Sequence, residues 1–174
     1  MRKRSSPPRR SPAPGPKTAR QRKLNSKCRK ESARQQELST KRRGELSELA
    51  FAHKAASEGF GIAKPYGDSE RFDFILISRG WPEGDKLWRV QIKCTASLIN
   101  GRYRINTVRH CCGRGVPYKP TDVDFVIVHI IPDDSYFIFP IRDTPTCLAL
   151  RPKDHRRGIH EPNREAWDLM RPPK

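Results

Sequence analysis

Between Arg71 and Cys94, two apolar runs of strand length flank a turn-rich segment. The first run is Arg-Phe-Asp-Phe-Ile-Leu-Ile-Ser and the second is Lys-Leu-Trp-Arg-Val-Gln-Ile-Lys-Cys. The connection is Arg-Gly-Trp-Pro-Glu-Gly-Asp, so the stretch predicts a β-hairpin. Each run carries polar residues where a buried strand disfavours them: Asp73 in the first, Gln91 and Lys93 in the second. Gln91 and Lys93 are two residues apart and therefore share one face of their strand. An acid, an amide oxygen and an ammonium can meet at one end of a sheet.

The rest of the chain supplies elements around that hairpin. Gly44 to Phe60 reads as an amphipathic helix, with Leu46, Leu49, Ala50, His53 and Ala56 at helical spacing and Gly59 as the residue that ends it. Glu45 and Glu48 lie on its flank. Phe60 to Tyr66 predicts a short strand, and Asn100-Gly101 between β-formers predicts a second hairpin just beyond Lys93. Residues 107–120 read as irregular and basic. Val123 to Ile131 is a continuous apolar run, the pattern of a buried central strand. Tyr136 to Ile141 returns as its antiparallel partner, Leu148 to Leu150 adds a short strand, and Asn163 to Met170 reads as a C-terminal helix with Asn163 as its N-cap.

Charge divides the chain. Residues 1–43 hold sixteen Lys/Arg and two acids, a net +14 of the total +17, which leaves +3 for the other 131 residues. The first 22 residues are rich in Pro, Arg and Ser and cannot bury enough apolar surface to offset their ordering entropy. We therefore expect a disordered basic arm over residues 1–40 and one domain over residues 41–172. An arm of this kind points to a polyanionic partner, through phosphate contact and counterion release. The same composition serves as a nuclear import signal.

No apolar run approaches the roughly 18 residues of a membrane span. The basic start lacks the apolar stretch of a signal peptide, and the five cysteines are irregularly spaced. The expectation is reduced thiols and a cytoplasmic, nucleoid-associated protein, or a nuclear one in a eukaryote. His110, Cys111 and Cys112 with Cys94 lack zinc-ligand spacing, and a mid-strand His129 is more often a core histidine than a ligand.

Helix with Glu48, strand with Asp73, strand with Gln91-Ile92-Lys93: in this order the chain resembles the PD-(D/E)XK nuclease superfamily. It is most similar to the branch that includes bacterial group I intron homing endonucleases, which carries a Gln-x-Lys variant. The segments that carry the resemblance are Gly44 through Ala50, Arg71-Phe72-Asp73, Gln91-Ile92-Lys93, Tyr118 with Asp122 to Phe125, Tyr136 to Pro140, and Arg164 to Leu169. They span about residues 41–170. Phe72 stands where the motif's Pro would be, and Gln91 replaces its second acid.

The resemblance implies an α/β (α+β-like) fold with a restriction-endonuclease-like core. Its N-terminal helix packs on a mixed, mainly antiparallel sheet. It also implies an Mg²⁺-dependent endonuclease acting on DNA, with Mn²⁺ able to take the ion's place. Asp73, Gln91 and Glu48 would hold the ion and Lys93 would assist the attacking water. Glu48 is favoured over Glu45 because the resemblance puts the helix acid about three turns before Gly59.

Arg102, Arg104, Arg109, Arg114 and Lys119 read either as a solvated loop or as phosphate contacts along a duplex. A homodimer is one way to cut both strands. Gln91 removes a negative charge from the ion site, so a DNA-binding protein that has lost cleavage on the same fold is the alternative. A basic structural or ribosome-associated protein is the third reading.

Overall fold

The computed structural model describes residues 40–67, 69–152 and 158–173. The expected basic arm lies outside the described residues, except that Thr40 already belongs to the first helix.

Residues 40–57 form helix α1. It ends where the glycine predicted: Gly59 has φ +88°, its N–H donates to Ala56 O at 2.9 Å, and the Phe60 N–H reaches Ala55 O at 3.1 Å. Those two bonds satisfy carbonyls that the helix end would otherwise leave open.

The buried face of α1 is not the one the sequence pattern selected. Leu46 and Leu49 are 52% and 68% exposed, and His53 and Ala56 also face out. Ser47, Phe51 and Ala55 form the buried stripe instead. Both sets satisfy helical spacing. Aromatic packing decides, because the Phe51 ring lies 5.6 Å from Phe74, 6.1 Å from Tyr136 and 6.0 Å from Trp167.

The strands are β1 (Gly61–Ala63), β2 (Phe74–Ser78), β3 (Lys86–Thr95), β4 (Leu98–Ile99), β5 (Arg102–Asn106), β6 (Val108–Cys111), β7 (Arg114–Pro117), β8 (Phe125–Ile130), β9 (Ser135–Pro140) and β10 (Cys147–Leu150). The main sheet has the order β1-β2-β3-β8-β9; β3 and β8 run parallel and the other neighbours antiparallel. The predicted hairpin is thus β2–β3, and the Asn100-Gly101 hairpin is β4–β5, with both turn residues at positive φ. β5 pairs with β10 in a second, three-stranded sheet.

Every residue of β8 is buried because both faces are covered. Phe125 and Ile127 join the core beneath α1 with Phe51, Phe74 and Trp167. Val128 and Ile130 join a second cluster with Tyr103, Leu148 and Leu150. A strand buried on both sides reads as a continuous apolar run.

Two sequence expectations need correction. Residues 107–120 are not irregular: β6 and β7 form a two-stranded hairpin whose turn, Cys112-Gly113, has φ of 50° and 76°. Arg, His and Gly in place of β-branched residues hid it. Residues 163–170 are also not a continuous helix. Two short 3-10 turns, Glu161–Asn163 and Trp167–Met170, stand in this region instead. Between them Glu165 takes φ 50° and gives its N–H to Tyr136 O at 2.7 Å, so the backbone bonds to β9 rather than to itself. Asn163 caps nothing here, and its Nδ2 donates to Ile138 O at 3.0 Å. Trp167 and Met170 nonetheless dock in the core as their apolar character required. No helix among the described residues is long and apolar enough to cross a membrane.

Candidate active site

The antiparallel register of β2 and β3 pairs Phe74 with Val90, so Asp73, just before β2, stands across from Gln91. The Asp73 N–H extends the ladder to Val90 O at 2.9 Å. Its carboxylate Oδ2 accepts the Ile92 N–H at 2.7 Å and the Gln91 Nε2 at 2.6 Å. Gln91 Nε2 also approaches Ile92 O at 3.3 Å, so the amide points its nitrogen inward and keeps its carbonyl oxygen for another partner. Burial pushes the Asp73 carboxyl up to about 6, the charge of Glu48 adds to this, and the Ile92 N–H, the Lys93 ammonium and the Gln91 amide oppose it.

Glu48 comes to this corner from α1, half-buried, with Oε2 at 2.8 Å from the Lys64 ammonium. Glu45 points away and pairs with Arg42 at 3.6 Å on the surface. Lys93 shares the Gln91 face of β3, and its Nζ sits 5.4 Å from the centroid of the Tyr118 ring. The structure therefore puts Asp73 and Gln91 in contact and sets Glu48 and Lys93 within electrostatic reach of Asp73.

The donor set is two carboxylates and one amide, all oxygen, which suits a hard cation such as Mg²⁺ or Mn²⁺. A carboxylate held near pH 6 by burial and by a neighbouring carboxylate is also a group that a cation would return to its charged form. Among the described residues no three His, Cys, Asp or Glu side chains gather as a metal cluster. Cys111 and Cys112 are exposed at the β6–β7 tip. His129 is buried against α1, with Nδ1 at 2.8 Å from Ser47 Oγ and its ring stacked 4.5 Å from Tyr136.

The loop between β7 and β8 borders the site through Tyr118. It is clasped by Arg89, which binds Asp124 Oδ1 at 2.9 Å, Pro120 O at 2.9 Å, and Thr121 O. Asp122 in the same loop is buried, accepts the Lys119 N–H at 3.2 Å and hydrogen-bonds Arg71. Of the five basic residues expected along a duplex, Arg102, Arg104, Arg114 and Lys119 are exposed on β5, β7 and this loop. Arg109 is half-buried, and its Nε lies in the interior without a hydrogen-bond partner among the described residues.

Three residues here received no role from the sequence: Lys64 at Glu48, Tyr118 at Lys93, and Arg71 at Asp122. Each meets a partner 16 to 51 positions away, and only the fold makes those meetings visible.

A model of the PD-(D/E)XK endonuclease family matches residues 38–170. Among solved structures, a bacterial homing endonuclease, I-Ssp6803I, is similar at 27% sequence identity and a TM-score of 0.64, covering 76% of this chain and 93% of that one. No curated protein matches the chain.

Proposed function

This chain belongs to the PD-(D/E)XK endonuclease family, and we propose that it is a divalent-cation-dependent endonuclease that hydrolyses phosphodiester bonds in DNA. The observation that carries the reading is the partly buried Asp73 carboxylate, hydrogen-bonded to Gln91 and flanked by Glu48 and Lys93. Asp73, the Gln91 carbonyl oxygen and Glu48 would hold Mg²⁺ or Mn²⁺. Such an ion, when bound, stabilises charge on the phosphate and acidifies water. Lys93, steadied over Tyr118, holds the attacking water or meets charge developing on the phosphate. The Glu48 carboxylate pairs with the Lys64 ammonium, which limits the negative charge at this corner when no cation is bound.

The arm supplies sequence-independent contacts to phosphates, and two copies would allow both strands to be cut. Nicking of a supercoiled plasmid tests the reading. Wild type converts it only with Mg²⁺ or Mn²⁺, and Asp73→Ala and Lys93→Ala lose at least about a hundredfold in rate. A second reading rests on Gln91, whose amide nitrogen closes on Asp73 and whose presence removes a ligand charge. It describes a DNA-binding protein without cleavage. Intact binding with no metal-dependent nicking by wild type would favour it.

A further inference from the structure

We propose that Asp122 fixes Arg71 as a clamp for a DNA backbone phosphate beside the scissile one. The inference rests on the proposed action on DNA and names a binding site within it. Arg71 lies two residues before Asp73, and the loop that carries Asp122 also carries Tyr118, the ring under Lys93. The cluster is therefore tied to the site at both ends.

A buried carboxylate is unfavourable unless it is paired and hydrogen-bonded. Burial pushes Asp122 up, but the Arg71 hydrogen bond, the Lys119 N–H and the charges of Arg71 and Arg109 together hold it below its ordinary value. The loop does not need Arg71 to keep its shape, because Arg89 already clasps Asp124 and the carbonyls of Pro120 and Thr121. Arg71 is nevertheless held by one end while its side chain remains 54% exposed. A guanidinium fixed in this way still offers outward donors in a planar fork, the geometry that fits phosphate oxygens.

Arg109 adds a second sign. Its Nε is buried and has no hydrogen-bond partner among the described residues. The charge of Arg109 acts on Asp122 and adds to the positive field there. With Lys119 exposed next to them, the cluster counts three cations against one acid and is positive at the edge of the site.

Full-length protein binding a labelled DNA duplex in EDTA, across a range of NaCl, tests the clamp without requiring catalysis. Arg71→Ala weakens binding roughly tenfold, equally for unrelated sequences, and flattens the slope of log K against log salt by about 1. Arg71→Lys keeps that slope but loses affinity with the fork. Asp122→Asn gives the sharpest result, because it makes the protein more positive. Charge counting alone raises its affinity, whereas a clamp that has lost its organiser binds more weakly. Should Asp122→Asn fail to fold, the two Arg71 variants decide, since that side chain is mostly exposed.

An unchanged slope for Arg71→Ala, or tighter binding by a folded Asp122→Asn, overturns the clamp. Wild type that binds DNA but cleaves none, with these variants weakened as expected, upholds the clamp and defeats only the catalytic reading. No binding of DNA by wild type overturns the clamp.

Discussion

Burying Asp73 favours its neutral form in the folded protein, and this gives the residue a measurable signature without any substrate. Its carboxyl titrates near 6 when folded, against 3.8 as an ordinary carboxyl. Between those values the native state binds more protons than the unfolded chain, so this residue's contribution to stability falls as pH rises from about 4 through 6. A shift of that size corresponds to at most about 3 kcal/mol of destabilisation at neutral pH. Asp73→Asn keeps an oxygen for the Ile92 N–H and removes the charge. In EDTA at pH 7.5 it therefore unfolds at higher urea than wild type, the gap narrows as pH falls, and the two nearly coincide only at about pH 3.5, below the unfolded value. Added Mg²⁺ or Mn²⁺ at pH 7.5 stabilises wild type and not Asp73→Asn. A variant less stable than wild type at pH 7.5 in EDTA would show that burial of the charge is not costly here. Gln91 belongs to the same balance: an amide touching Asp73 offers it a hydrogen bond, whereas a carboxylate there would drive its pKa higher still.

At the scale of elements, helix α1 shows how far a pattern can lead. Phe51, in the buried stripe, stacks at 20° on Trp167 and touches Phe74 and Tyr136, whereas Leu49 faces solvent. Phe51→Ala therefore costs about 3–5 kcal/mol in urea unfolding, and Leu49→Ala stays within about 0.5. The reverse order would mean that α1 is turned the other way on the sheet. The C-terminal end of α1, the β2–β3 hairpin and the doubly covered β8 were legible because glycine placement, turn residues and apolar runs are local signals; α1 itself starts four residues before Gly44, at residue 40. The rotation of α1 was not, since two apolar stripes compete at the same spacing and only the ring cluster chooses between them. The 3-10 turns near the C-terminus were hidden for the same reason: Glu165 commits its N–H to β9 across the fold. In the site, the order Glu48, Asp73, Gln91, Lys93 could be read along the chain, and strand parity put Gln91 and Lys93 on one face. Lys64, Tyr118 and Asp122 enter through contacts between distant residues, and no local pattern encodes those.

The whole molecule separates charge from core. Residues 1–43 carry +14, while the buried apolar residues of both clusters lie between Phe51 and Met170. A nuclease needs a duplex held long enough for one phosphate to reach Asp73, and two sources of positive charge can do this. The arm would contribute cations whose value falls steeply with salt, about 0.9 in the logarithmic slope for each phosphate neutralised. The cluster at Asp122 would contribute few contacts, but fixed ones. Deleting residues 1–39 therefore leaves the melting temperature within a few degrees of wild type, because all the core residues of both clusters among the described residues are kept. It lowers DNA affinity strongly at low salt and flattens the salt slope by several units, with the two proteins converging as salt rises. Adding Arg71→Ala to the deletion lowers the remaining slope by about one more, since separate phosphate contacts add. Titrating duplex into the three proteins over a range of NaCl measures this directly. A deletion that leaves affinity and slope unchanged would remove the arm from DNA binding and assign the whole interface to the folded domain.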